Sequence, residues 1–264
     1  MNDKTKSKDL WAAVRQLTGR QQSATTIDGV TAESLNDHNS AISTDETYIS
    51  PHRKSSTSTS EPEYIAEWQV VTMLDRLRPT STGLDGLPAW FLRLGAPVFC
   101  QPITHLFNIS LATSTVPNQW KQAKIQPIPK LFPPKRHADF RPISITPVLT
   151  RAMERTVVSR FLYSAFLSPP PLLSFTDQFA FRPTGSTTAA IISILQTVTN
   201  MLLTHPYVIV ISLDFSKAFD TVRHSTLLEK LAQLDIPDNV YNWFADFFTG
   251  HAHLTSYTWV KCRC

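Results

Sequence analysis

The stretch Val208–Val222, VIVISLDFSKAFDTV, decides how the rest of this chain is read. With Tyr207 before it, it opens as a continuous, β-branched apolar run that ends on Asp214. Such a run predicts a strand buried on both faces. A buried strand fixes its backbone, and its end opens onto solvent or a ligand. A carboxylate at that end suits a divalent cation, because Mg²⁺ takes one or two protein carboxylates together with phosphate oxygens. Asp214 reads equally well as the N-cap of a short helical turn through Ser216 to Phe219. Composition alone leaves both readings open.

Working outward, Ser186 is a candidate N-cap for a long helix with the stripe Ile191, Leu195, Val198 and Leu202, ending before Pro206. After the central stretch, Leu227, Leu231 and Leu234 mark another helix, and Tyr241–Phe248 a further one. Upstream, Leu149, Met153, Val157 and Phe161 recur every fourth residue. Before them, Ala123, Ile125 and Ile128 alternate with polar residues, which suggests a short strand interrupted by Pro127 and Pro129. Two prolines place such a strand at an edge or in an irregular hairpin, with Arg141–Ile145 as the return arm. The connection, Leu131–Asp139, is basic and proline-rich. Helical spacing also appears over Glu63–Leu77, Pro88–Leu94 and Pro97–Leu111.

Residues 1–61 differ in character. One short helix fits Asp9–Leu17, and Ser50–Ser60 holds no apolar residue. That composition cannot offset the entropy of ordering it, so a largely disordered arm is expected. The whole chain has 264 residues, 42% hydrophobic and 17% charged, enough for a sizeable core. The seven glycines spell neither a dinucleotide fingerprint nor a P-loop, which excludes two common phosphate-binding solutions. Three cysteines make no disulfide framework, and no apolar run has the length of a signal peptide or membrane span. An intracellular location, cytoplasm or nucleus, and no membrane partner are expected. The net charge of +4 permits a polyanionic partner without demanding one.

Four words then stand in order: Ile128-Pro129-Lys130, Phe140-Arg141-Pro142-Ile143-Ser144, Asp177–Arg182 (DQFAFR) and Ser212–Asp220 (SLDFSKAFD). With Thr82–Pro88 before them, they resemble the reverse transcriptase of non-LTR, LINE-type retrotransposons. The resemblance implies an α+β fold, the fingers and part of the palm of a right-hand polymerase, over residues 62–253. It implies RNA-directed DNA polymerisation on an RNA template and DNA primer with dNTPs, and Mg²⁺ as the metal. Asp214 matches the first catalytic, metal-binding carboxylate. Phe219 matches the aromatic under the incoming sugar, whose bulk excludes a 2′-hydroxyl; by residue type alone it is an ordinary core aromatic. Phe215, Ser216, Lys217 and Ala218 match the turn that faces the triphosphate, an anion-binding use of backbone amides. Lys130 and Arg141 match triphosphate contacts of the fingers, and Gln178 and Arg182 a nucleic-acid-facing word. Lys121, Lys124, Lys135 and Arg136 add charge suited to a template backbone or to an ordinary solvated face.

The departures matter as much. The family also needs an aromatic-Ala-Asp-Asp word, and no Asp-Asp dipeptide occurs in this chain. The sequence therefore reads as fingers and the first palm strand, with residues 254–264 outside the family pattern. A complementing chain is conceivable but not identified. Whether it is an enzyme at all stays open; the alternative is a catalytically dead remnant that binds nucleic acid electrostatically. His251-x-His253 and Cys262-x-Cys264 fit no zinc spacing.

Overall fold

A computed structural model describes residues 30–257, apart from 46, 51, 56–63, 132, 172, 174, 176, 183 and 184. The helix expected over Asp9–Leu17 and the Cys262–Cys264 pair lie outside the described residues. The helices are α1 (Ala32–Ser43), α2 (Glu67–Asp75), α3 (Ala89–Leu94), α4 (Ala96–Ala112), α5 (Val148–Val157), α6 (Tyr163–Leu167), α7 (Thr187–Leu202), α8 (His224–Ala232) and α9 (Asp238–Phe247). The strands are β1 (Gln122–Pro129), β2 (Phe140–Ile145) and β3 (Ala252–Thr255). The chain is mixed α and β with a small sheet.

The polar arm is more ordered than its composition suggests. Thr31 Oγ1 accepts from Ser34 N at 3.1 Å while Ser34 Oγ accepts from Thr31 N at 2.9 Å, a reciprocal cap that starts α1. Leu35 anchors the helix at 1% exposure. Within the serine-rich stretch, Lys54 N donates to Asn242 Oδ1 at 2.8 Å and Asn242 Nδ2 donates back to Lys54 O at 2.9 Å. These bonds tie residues 52–55 to α9.

The core lies among α2, α4, α5, α8 and α9, where Leu74, Phe107, Met153, Val157, Leu228, Val240 and Trp243 are fully buried. Phe107 and Trp120 meet edge to face at 5.6 Å. The four-residue repeat of α5 has a physical consequence. A period of four drifts by about 40° per step on a 3.6-residue helix. A π-helical turn at Val158–Leu162 widens the helix between α5 and α6 and brings Phe161 back onto the buried face.

The expected hairpin forms, with Ile128 opposite Arg141 and Pro127 opposite Pro142. In an antiparallel ladder alternate pairs exchange no backbone bonds, and a proline pair fits there because neither residue has an N–H to offer. β1 is nonetheless central, in the order β2-β1-β3. β3 runs parallel to β1 and reaches only Gln122–Ile125, so Pro127 and Pro129 fall on the unpaired half. Gly83 is held by close approach: a Cβ there would stand 2.6 Å from Pro147 N.

The central expectation about Tyr207–Leu213 is corrected. These residues form no strand and join no sheet. Ile209, Ile211 and Leu213 are 77%, 78% and 82% exposed rather than buried on both faces. An extended segment becomes a strand only when neighbours take up its backbone groups, and the three described strands lie elsewhere. The Ser186 cap is present, its Oγ accepting from Ala189 N at 3.1 Å. Yet α7 buries none of its residues, so its apolar stripe is uncovered as well. α8 behaves differently, since its Leu228 and Leu231 enter the core, together with Leu234 just after it.

Candidate functional site

One cleft of about 280 Å³ gathers several of the expected residues. Lys130, at the end of β1, Lys217 and Phe219, in the turn after Asp214, and Asp220 all line it. Lys130 is steadied by its own loop: its N–H donates to Asp139 O at 2.7 Å and its Nζ to Ala138 O at 3.0 Å. Asp139 shapes that loop. Its Oδ2 accepts from Lys135 N and Arg136 N, both at 2.9 Å, and these N–H bonds hold its carboxyl below the usual range despite burial. The turn carrying Lys217 is closed by Asp220 N donating to Lys217 O at 2.9 Å. Lys217 itself sits at φ 54°, in the left-handed region.

Sheet geometry separates Arg141 from Lys130. Phe140, Pro142 and Ser144 line the cleft, so by the two-residue alternation of a strand Arg141 lies on the opposite face. Asp214 and Phe215 are exposed, and neither lines the cleft, nor do Ser216 and Ala218. Asp214 makes no hydrogen bond or ion pair with the described residues, so its side chain does not cap the following turn. Gln178 and Arg182 serve a local turn: Gln178 Nε2 donates to Ala180 O at 2.8 Å, and Arg182 donates to Phe175 O. That turn approaches the cleft through Phe181, whose ring meets Phe219 edge-on at 6.2 Å. Phe219 is 83% exposed and so is not a core aromatic.

Lys121 is removed from the template-facing set. It is 7% exposed, and its Nζ donates to Asp246 Oδ2 at 2.8 Å. Asp246 also accepts from Val116 N at 2.8 Å and Arg53 Nη2 at 2.9 Å, which occupies both of its oxygens. Among the described residues no group of three His, Cys, Asp or Glu side chains could hold a metal. The residues present therefore do not make a metal site around Asp214.

Sequence reasoning missed His38 and His224 in the cleft and weighed His253 only with His251, as a zinc spacing that did not fit. His38 from α1, His224 from α8 and His253 from β3 line it, and His137 stands behind His38 with ring centroids 5.5 Å apart. His38, His137 and His224 are isolated in the sequence and carry no local signal, and the packing of α1 against β3 and against the turn before β2 brings His38 to His253 and His137. No helix of the described residues is long and apolar enough to cross a membrane.

Comparison with known proteins agrees with the last three of the four words, which lie within the matched residues. The family profile described as reverse transcriptase (RNA-dependent DNA polymerase) matches residues 133–264, which takes in the tail after His253. The Pol polyprotein of the type-2 retrotransposable element R2DM of Drosophila melanogaster is 27% identical over 151 residues, 55% of this chain and 13% of that protein. That of the type-1 retrotransposable element R2 of Popillia japonica is 26% identical over 190 residues, 68% and 24%. The RNA-directed DNA polymerase of the Drosophila melanogaster mobile element jockey is 29% identical over 160 residues, 60% and 17%. The chain thus spans at most 24% of the length of these relatives. With half of its residues matched by the profile, the chain belongs to the reverse transcriptase family, in the company of non-LTR retrotransposon polymerases.

Proposed function

We propose that this chain carries the nucleotide-binding side of an RNA-directed DNA polymerase active site, in the fingers and first part of the palm, over residues 62–253. The observation that carries the proposal is the convergence of Lys130, Lys217 and Phe219 on one cleft from sequence positions far apart. Two ammonium groups neutralise phosphates, and a flat ring beside them supports a sugar. In this reading Lys130 and Lys217 hold the triphosphate of a dNTP, and Phe219 lies where a 2′-hydroxyl would clash. Phe215, Ser216 and Ala218 form the adjoining backbone. Arg141, Gln178 and Arg182 face primer or template from outside the cleft. Asp214 is the one family-matched carboxylate toward Mg²⁺; further carboxylates from elsewhere would have to join it. The protein acts inside the cell, on RNA template and DNA primer.

A second reading is favoured by one observation. Asp214 has no other carboxylate in a ligand group among the described residues, as a catalytically dead, nucleic-acid-binding remnant would also show. A graft separates the two. Residues 133–264 are placed in the jockey polymerase in exchange for its own matching stretch, and primer extension on an RNA template is measured. Incorporation that disappears on Asp214→Ala supports the polymerase reading; a graft that binds primer-template without extending it supports the remnant.

A further inference from the structure

Helix α1 lies outside residues 133–264, the part that matches the family profile, and outside the polymerase words of the sequence. It nevertheless forms a wall of the cleft, where His38, Asn39 and Ile42 join Lys130 and Lys217 in the lining. The placement is anchored at several points. Thr255 Oγ1 donates to Asn36 Oδ1 at 2.8 Å, Ser34 Oγ and His137 Nε2 are 3.0 Å apart, and Leu35 is buried.

The charges around His38 come from every element of the cleft. His137 belongs to the turn before β2, Lys130 to β1, Lys217 and Asp220 to the turn before α8, His224 to α8 and His253 to β3. Burial, followed by the positive fields of His137, Lys217 and Lys130, pushes the His38 imidazolium toward deprotonation. These effects favour the neutral ring while the cleft is empty of anions. A polyphosphate entering between Lys130 and Lys217 reverses the local field and favours the imidazolium. His253 Nε2 adds a second polar atom on the same wall, buried and with no hydrogen-bond partner among the described residues.

We propose that α1 completes the triphosphate cleft and that His38 takes up a proton as the anion binds, so that capture of a triphosphate is proton-coupled. The inference rests on the nucleotide-binding reading of the cleft. Its sign is distinctive. A triphosphate gains negative charge as pH rises, so binding by lysines alone strengthens or stays level toward alkaline pH. Proton uptake by His38 makes binding strengthen toward acid, by at most about tenfold per pH unit for one proton.

The full chain is tethered at its N-terminus to a sensor surface, and inorganic tripolyphosphate and dATP are passed over it at pH 6.5, 7.25 and 8.0. Both probes should bind about fivefold more tightly at pH 6.5 than at pH 8.0, within that linkage limit. His38→Gln should bind with no gain toward acid. His38→Lys, whose charge is fixed, should bind tightly at all three values. Binding that tightens toward acid equally in parent and His38→Gln overturns the proposal. Parent binding that is level across pH and lost in Lys130→Ala overturns it too, while leaving the nucleotide-binding reading in place. Absence of binding by either probe overturns both.

Discussion

Asp246→Ala removes a side chain that joins three separated parts of the chain. Its carboxylate accepts from Arg53, Val116 N and Lys121, at 2.9, 2.8 and 2.8 Å. The three losses differ in size. Arg53 has a side chain 56% exposed, so its ion pair contributes about 0–1 kcal/mol. The Val116 N–H loses its acceptor, a cost of about 1–3 kcal/mol. Lys121 is left as an uncompensated ammonium whose side chain is 9% exposed, and breaking a buried pair from one side costs about 3–5 kcal/mol. The last effect dominates and already contains part of the second, so a total of about 3–5 kcal/mol is expected. Replacing both charges, in Lys121→Met with Asp246→Leu, removes the stranded ammonium and should leave only the N–H cost, about 1–3 kcal/mol. Pulse proteolysis across a urea series reads both at submicromolar protein. Burial opposes ionisation of Asp246, but the Lys121 bond, the Val116 N–H and the Lys121 and Arg53 charges outweigh it and hold the carboxyl below its usual range. Its stabilisation is thus present above the unfolded carboxylate pKa and lost as pH falls through the folded one, and the variant's deficit should shrink in acid. A deficit under about 1 kcal/mol at pH 7, or a double variant no more stable than Asp246→Ala, would refute the reasoning.

Glu154, half-buried on α5, has its carboxyl pushed up to about 7 by burial, with Arg151 pulling the other way. A raised carboxyl stabilises the fold below the unfolded pKa and loses that contribution as pH rises through the folded value. Glu154→Gln should therefore gain on the parent between about pH 4.5 and 7, by about 1–3 kcal/mol at the upper end, read as the difference in urea midpoints times slope. The uncovered faces of α7 and of Tyr207–Leu213 should bind a hydrophobic dye and drive self-association. Ile209→Lys with Ile211→Lys should lower dye fluorescence and raise the monomer fraction in sedimentation; no change in either speaks against an exposed segment. In the jockey graft, Phe219→Val should admit ribonucleotides, and equal discrimination by both forms sinks the assignment of Phe219 beneath the sugar.

Much of the architecture was legible because its signals are local. Period-four apolar residues gave α5, the Ser186 cap gave the start of α7, and proline spacing gave the irregular hairpin. What failed depended on partners. Tyr207–Leu213 carries every preference of a buried strand, but a strand is a relation between segments, and no described neighbour pairs with it. Lys121 looked like one more surface cation because nothing near it announces Asp246, 125 residues away. Arg141 and Lys130 stood together as phosphate contacts in the sequence, whereas the pleat of β2 puts them on opposite faces. The place of His38 in the cleft was invisible for the same reason as Lys121: α1 reaches β3 across 219 residues of sequence.

The central claim is that the cleft between Lys130 and Phe219 takes a deoxynucleoside triphosphate. Photolabelling the full chain with an azido-dATP, followed by mass mapping of the modified peptides, tests it directly. Label should concentrate on the peptides carrying residues 125–130 and 217–222, be displaced by excess dATP and by tripolyphosphate, and fall at least fivefold in Lys130→Ala but not in Arg141→Ala. Label spread over peptides that do not line the cleft, or unaffected by Lys130→Ala, would contradict the claim.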